Sequence, residues 1–107
     1  MTGWIFLIIA IIAEIIATTA IRSSNGFTVL VPSVVTILGY AIAFGFFAQA
    51  LKSLDLGIAY AIWAGVGTAT VAMIGIVVFG EPGTLAKTAG LMLIVTGVVL
   101  LNLQGAH

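Results

Sequence analysis

The sequence predicts an all-α integral membrane protein, with four transmembrane helices forming one domain over residues 1–107. Of its 107 residues, 63% are hydrophobic and only 6% are charged, and they fall into four long apolar runs. A soluble domain has roughly a quarter of its residues charged. A membrane-barrel strand would alternate polar and apolar residues over about 10 positions, and these runs do not alternate. Each run approaches the roughly 20 apolar residues that a spanning helix needs.

The four apolar runs, each expected to form one helix, span about residues 4–21, 30–51, 56–79 and 85–103. Pro32 suits the first turn of the second helix, because its missing N–H would be unpaired there in any case. Lys87 lies near the start of the fourth helix, where its long side chain can reach the lipid headgroups. Glycine and β-branched residues are frequent, but in lipid the backbone must bond to itself, so helices are expected regardless.

The composition excludes several functional classes. Three acidic and three basic residues give no formal net charge, so no basic surface for nucleic acid is expected. The chain has no cysteine, which removes disulfides, thiol catalysis and cysteine metal sites. His107, the only histidine, is the last residue, and we expect a frayed terminal side chain there and not a metal ligand. We therefore expect no enzyme, no cofactor and no metal.

The sequence also limits the energy source of any transport. A nucleotide-driven pump needs a glycine-rich phosphate loop with its lysine, followed by a helix. Gly65 and Gly67 form the only tight glycine pair of that kind, and no lysine follows them. Transport by this chain would have to use an ion gradient or run downhill.

Glu14 is the only charged residue in the middle of a predicted helix. A charge there costs about 2.5–3.5 kcal/mol on insertion scales, and such residues usually carry protons or ions. A protonated glutamate that bonds a neighbouring helix is the structural alternative. Small residues, among them Ala10 and Thr18, lie within about 60° of Glu14 around the helix, so a ligand or helix can come close. The other five charged residues lie in or beside loops: Arg22, Lys52, Asp55, Glu81 and Lys87.

Aromatic residues lie at helical spacing on the second and third helices. Tyr60, Trp63 and Gly67 share one face of the third helix, and Tyr40 and Phe44 are one turn apart on the second. Tyrosine and tryptophan often form belts at the membrane interface, which is the alternative explanation. Tyr40 and Trp63 lie too deep in their helices for such a belt, so a binding role is favoured for them.

A carboxylate beside aromatic rings in an apolar site suits a lipophilic cation. The carboxylate supplies an ion pair, and each desolvated ring adds about 0.5–2 kcal/mol of cation–π attraction. A proton and a cation would compete for Glu14, and exclusive occupancy by one or the other is sufficient for exchange if access alternates between the two sides.

Several short stretches carry a family resemblance: Ala13-Glu14, Ala17-Thr18-Thr19, Ser24-Asn25-Gly26-Phe27-Thr28, Pro32-Ser33 and Gly57-Ile58-Ala59-Tyr60-Ala61-Ile62-Trp63. With these stretches, the chain resembles the small multidrug resistance family over essentially its whole length. The resemblance implies an antiparallel homodimer in the inner membrane of a bacterium, a multi-pass protein that exchanges protons for toxic lipophilic cations. It implies that proton and substrate share Glu14. The other implied site residues are the cation-contacting Trp63 and Tyr60, the polar Tyr40 and Thr18, and the ring of Trp4.

The resemblance also bears on the subtype. The guanidinium exporters of this family have Gly, Trp and Ser at the positions that match Ile11, Ala17 and Ala43. All three positions depart from that pattern here, whereas Thr18 and Tyr40 fit the quaternary-ammonium subtype. We therefore expect quaternary ammonium and aromatic cations as substrates, with a guanidinium-type exporter as the alternative.

Glycines suggest an interface and a hinge. Gly90 and Gly97 lie on one face of the fourth helix, where small residues would let a second copy approach. Incidental glycines in an apolar helix are the alternative. Gly65 and Gly67 could kink the third helix during transport, although a packing role is nearly as plausible.

Orientation signals are nearly balanced. The side that holds both termini has Lys52, and the other has Arg22 and Lys87, which is hardly a bias under the positive-inside rule. A near-tie permits insertion both ways and hence an antiparallel pair. Two further functions stay open: a passive proton or cation pore that uses Glu14 alone, and a structural or regulatory peptide that partners a larger transporter.

Overall fold

The computed structural model describes residues 2–105, so the expectation for His107 falls outside the described residues. Within that range every regular element is a helix, and all four helices are long and apolar enough to cross a membrane. The predicted fold class of four membrane-spanning helices is confirmed. The helices are α1 (Thr2–Ser23), α2 (Leu30–Ala50), α3 (Leu56–Val77) and α4 (Leu85–Gly105).

Helix ends differ from the apolar runs because hydrophobicity does not decide where a helix stops. α1 includes the polar residues Thr2 and Ser23, which lie outside the apolar run. α3 stops before the apolar Phe79, because the chain reverses at Gly80, whose φ is +69°. The N–H of Glu81 then donates to the carbonyl of Gly75 at 3.0 Å, which binds the reversed chain to the end of α3.

The chain divides into two compact units, one ending at Leu54 and the other beginning at Asp55. The first unit contains α1 packed on α2, and the second contains α3 packed on α4. Each unit is described here by itself. The single four-helix domain expected from the sequence stays a prediction.

Small side chains fill the contact between α1 and α2. Ala10, Ala17 and Ala43 have no exposed surface. Thr36 is 1% exposed, and its hydroxyl donates to the carbonyl of Pro32 at 2.8 Å within α2. The same hydroxyl lies 3.4 Å from the carbonyl oxygen of Ala17 on α1, so a polar contact also joins the two helices.

Ser24 organises the connection between α1 and α2. Its side chain is fully buried, and its hydroxyl donates to the carbonyl of Ile21 at 2.6 Å. The hydroxyl also accepts from the N–H of Phe27 at 3.0 Å, and the Ser24 carbonyl accepts from the N–H of Thr28 at 2.8 Å. One serine therefore satisfies polar backbone groups on both sides of the turn.

Three successive residues of this turn, Asn25, Gly26 and Phe27, have left-handed φ angles of 49°, 72° and 66°. Glycine adopts such angles without steric cost and asparagine does so routinely, but a phenylalanine does so rarely. The bond from the Phe27 N–H to Ser24 holds this unfavourable conformation.

The second unit has a close contact between α3 and α4. A Cβ atom added to Gly65 would lie 2.6 Å from a methyl carbon of Val98, so the absence of a side chain lets α4 approach α3 there. α4 begins after Thr84, whose hydroxyl accepts from the N–H of Lys87 at 3.2 Å as an N-terminal cap. No residue from Leu85 to Leu103 is buried within the chain.

Large apolar side chains cover the outside of the helices. Leu30, Val77 and Leu93 are each about three-quarters exposed, and Leu85 is 86% exposed. A soluble protein rarely exposes so much apolar surface in contiguous patches. The exposed surface therefore suits contact with lipid chains or with other membrane helices.

We predict that Ser24→Ala lowers the free energy of unfolding by about 1–3 kcal/mol, because it removes two part-buried hydrogen bonds between the hydroxyl and the backbone. The control is Ser23→Ala, which removes the hydroxyl of the exposed neighbouring serine. Thermal unfolding of both variants in the same detergent, followed by circular dichroism, measures the difference. Equal stability of the two variants would contradict the role given to Ser24.

Candidate functional site

Glu14 lies in the middle of α1 and is partly buried. Its carboxylate oxygen Oε2 is enclosed, yet it has no hydrogen-bond partner among the described residues. A buried acceptor without a partner is costly in a protein interior. This oxygen is therefore ready to take a proton or to accept a bond from a ligand.

Two hydroxyl groups join the carboxylate to α2. Thr18 follows Glu14 by one turn of α1, and its side chain hydrogen-bonds with the carboxylate. The Thr18 hydroxyl oxygen lies 2.7 Å from the Tyr40 phenol oxygen on α2. An ionised carboxylate can only accept, so Thr18 then donates to Glu14 and Tyr40 donates to Thr18. The structure thus brings together three of the predicted site residues in one chain of hydrogen bonds.

Other predicted site residues of the first unit lie at different levels. Ala10 is fully buried and lies one turn before Glu14, so α1 packs closely next to the level of the carboxylate. Phe44 follows Tyr40 by one turn of α2 and is 56% exposed. Trp4 precedes Glu14 by ten residues, or about 15 Å along the helix, so α1 does not bring its ring to the carboxylate.

The second unit, taken by itself, contains an aromatic pair on α3. The ring centroids of Tyr60 and Trp63 are 5.8 Å apart, and the rings meet edge to face at 67°. Trp63 is 8% exposed and Tyr60 is 56% exposed. Edge-to-face contact is a favourable arrangement for aromatic rings. It fixes the orientation of Trp63 relative to Tyr60, as the shared helix face predicted.

Comparison with known proteins decides the family. Residues 2–94 match the family model described as Small Multidrug Resistance protein. This chain belongs to the small multidrug resistance family. It is 50% identical over 103 residues to the quaternary ammonium compound-resistance protein QacE of Escherichia coli, with 96% of this chain and 94% of that protein covered. It is 52% identical to the corresponding protein QacF of Klebsiella aerogenes, with the same coverage.

A third relative is named for export and not for resistance. The nicotine metabolites export pump subunit NepA of Paenarthrobacter nicotinovorans is 49% identical over 107 residues, with all of this chain and 92% of that protein covered. Membership of this family, together with four spanning helices, makes the chain a multi-pass protein of a bacterial inner membrane.

The glycines singled out in the sequence have different surroundings in this family member. A Cβ atom added to Gly90 or Gly97 would meet no atom within 4 Å, so both leave open space on α4. Gly65 lies against Val98, so close packing explains a glycine at this position. α3 runs unbroken through Gly65 and Gly67. The interface and the hinge both stay predictions.

Sequence reasoning missed two residues that shape the site. Thr36 is a buried polar residue whose contact with the Ala17 carbonyl joins α1 to α2. Gly39 precedes Tyr40, and an added Cβ atom would lie 2.8 Å from the Cβ of Ala17. Neither residue was singled out, because the sequence does not give the register between α1 and α2. The only available signal was a glycine beside a predicted site tyrosine.

Proposed function

We propose that this protein is a proton-coupled antiporter that exports lipophilic cations, with proton and cation competing for Glu14. The carrying observation is the partly buried carboxylate whose Oε2 has no partner among the described residues. Such a group gains a favourable interaction from either a proton or a cation. Because one oxygen pair cannot hold both fully, occupancy by one disfavours the other.

Competition for one carboxylate is sufficient for exchange. If the site opens alternately to the two sides of the membrane, a proton entering from one side replaces a cation released to that side. The sequence has no phosphate-binding loop, so the proton gradient is the proposed energy source. Glu14 is the only acidic residue within a helix, which makes it the proposed site of coupling.

Aromatic residues support a lipophilic cation as the substrate. Tyr60 and Trp63 form an oriented pair, and Tyr40 reaches the carboxylate network through Thr18. The face of an aromatic ring attracts a cation, and this attraction is stronger when the cation has lost its water. Relatives at 50% and 52% identity are named for resistance to quaternary ammonium compounds, which also supports this substrate class.

Packing at Ala17 favours the quaternary-ammonium subtype over the guanidinium subtype. The resemblance places a tryptophan at this position in guanidinium exporters. Here Ala17 is fully buried, and Gly39 lies directly against its Cβ atom. An indole at this position would have no space while α1 and α2 keep this separation.

We further propose that two copies form the working unit as an antiparallel homodimer. α4 has no buried residue between Leu85 and Leu103, and Gly90 and Gly97 leave open space on it. Small residues of this kind let membrane helices approach each other closely. The nearly balanced loop charges are compatible with insertion in both orientations.

A passive proton or cation pore is the second candidate. The same carboxylate would serve it, but a pore would need neither the aromatic pair nor mutual exclusion of proton and cation. Purified protein in liposomes separates the two. An antiporter accumulates a cation against its gradient when a proton gradient is applied, and a pore does not.

We predict that Glu14→Gln abolishes cation accumulation in liposomes driven by a proton gradient. The substitution keeps the size and hydrogen bonding of the side chain but removes the titrating charge. Glu14→Asp, which keeps the charge, should retain measurable accumulation and serves as the matched control. Accumulation of tetraphenylphosphonium by the glutamine variant at the wild-type rate would contradict the proposal.

We also predict that cation binding releases protons and that cation affinity falls as the pH is lowered. Because the cation stabilises the ionised carboxylate, protonation must oppose the cation by the same free energy. In the range where Glu14 titrates, affinity should fall by up to about tenfold per pH unit for each proton released. Calorimetry of tetraphenylphosphonium binding, in buffers of different ionisation enthalpy, counts those protons. If no proton were released, the protein would be a cation binder or a uniporter, and antiport would be wrong.

We predict that Gly97→Leu weakens the dimer, because the added side chain fills open space on α4 and holds a second α4 away. Gly45→Leu fills equally open space on α2 and is the matched control. Chemical crosslinking in membranes, and the mass of the purified protein in detergent, measure the oligomer. A dimer that Gly97→Leu leaves unchanged would place the interface elsewhere.

A further inference from the structure

Gly39 lies at the closest contact between α1 and α2. A Cβ atom built on it would be 2.8 Å from the Cβ of Ala17, 3.3 Å from the Cα of Ala17 and 3.3 Å from the carbonyl oxygen of Ala13. None of these atoms belongs to the end of a flexible side chain. A methyl group at this position therefore cannot be accommodated unless one helix moves relative to the other.

This contact is next to the carboxylate network on both helices. On α1, Ala13 precedes Glu14 and Ala17 precedes Thr18. On α2, Gly39 precedes Tyr40, whose phenol oxygen is 2.7 Å from the Thr18 hydroxyl. The absence of a side chain at Gly39 sets the distance between α1 and α2 at this level. The Tyr40 side chain must span the same distance to reach Thr18.

Thr36 makes a second contact at this level. It lies one turn before Tyr40 on α2, and its hydroxyl is 3.4 Å from the carbonyl oxygen of Ala17. A hydrogen bond of that length is already near the limit for the interaction. A small increase in helix separation would remove it as well.

We propose that Gly39 is a positioning residue, whose lack of a side chain holds Tyr40 in hydrogen-bond contact with Thr18 and thereby shapes the cation site at Glu14. This inference rests on the proposed function of Glu14 as the cation-binding carboxylate. Gly39 itself lies against Ala13 and Ala17 of α1 and not against the carboxylate. It acts only through the distance between the two helices.

Gly39→Ala should therefore act like the loss of the Tyr40 hydroxyl. The new methyl needs ordinary van der Waals contact of 3.4–4 Å with Ala17. The helices would move apart by roughly 1 Å, and an O–O distance near 3.7 Å no longer makes a hydrogen bond. Loss of one such bond corresponds to roughly a 2- to 10-fold loss of affinity.

The test is a double-mutant cycle on tetraphenylphosphonium affinity, measured by calorimetry with the purified full chain. Gly39→Ala and Tyr40→Phe should each weaken binding by roughly 2- to 10-fold. Tyr40→Phe added to Gly39→Ala should cause no further loss, because the hydrogen bond is already absent. Gly45→Ala, at an open position of the same helix, is the control and should leave affinity unchanged.

A swap variant provides the rescue. Ala17→Gly combined with Gly39→Ala moves one methyl group across the contact and keeps the total volume. It removes the 2.8 Å contact and leaves two contacts of 3.3 Å, which need a shift of only a few tenths of an ångström. We expect it to restore affinity close to that of the wild type, and with it the effect of Tyr40→Phe. Should Gly39→Ala fail to fold, the swap variant with and without Tyr40→Phe decides alone: a full Tyr40→Phe effect supports the proposal.

Two results would overturn the proposal. One is simple addition of the Gly39→Ala and Tyr40→Phe losses, and the other is a swap variant that stays insensitive to Tyr40→Phe. Failure of the antiport mechanism has a different signature, namely no proton release when the wild-type protein binds the cation. The cycle measures affinity at one pH without a gradient, so the two failures are distinguishable.

Discussion

The rest of this structure depends on one constraint, a single carboxylate held within an apolar helix. Insertion of Glu14 costs about 2.5–3.5 kcal/mol before any partner compensates for it. The protein supplies only part of that compensation, because Thr18 contacts the carboxylate while Oε2 has no partner among the described residues. An incompletely satisfied acid is unfavourable for stability, but the proposed exchange requires one, since a fully paired carboxylate has no acceptor left for a cation.

Small residues make this arrangement possible. Hydroxyl groups on one membrane helix reach the next only where the backbones are close, and bulky apolar side chains would prevent that approach. The buried residues of α1 and α2 include four alanines and a threonine beside Leu7, Ile11 and Phe47, while many large apolar residues lie on the exposed surface. At the closest contact Gly39 has no side chain. Packing and polar chemistry are therefore not separate features of the first unit. The same close approach produces both.

The sequence predicted some of these features and not others, for physical reasons. Four helices follow from hydropathy, because backbone groups in lipid can form hydrogen bonds only with the backbone itself. Glu14 is evident because no other charge lies in the middle of an apolar run. The helix ends at Ser23 and Val77 were not predictable, since local backbone geometry sets them. The family resemblance named Thr18 and Tyr40 as polar site residues, but their hydrogen bond was not predicted, because spacing within one helix does not give the register between two helices.

The contact at Ala17 connects substrate class with helix packing. The family resemblance places a tryptophan at this position in guanidinium exporters, and its bulk cannot fit against a helix as close as Gly39 brings α2. A change at Ala17 would therefore require a different separation of α1 and α2, and the Tyr40 hydroxyl could no longer reach Thr18 in the same way. A tryptophan at this position is therefore incompatible with the present distance between α1 and α2. On this argument, exchanging only the residues that face Glu14 would leave that distance unchanged, because the contact at Gly39 would remain.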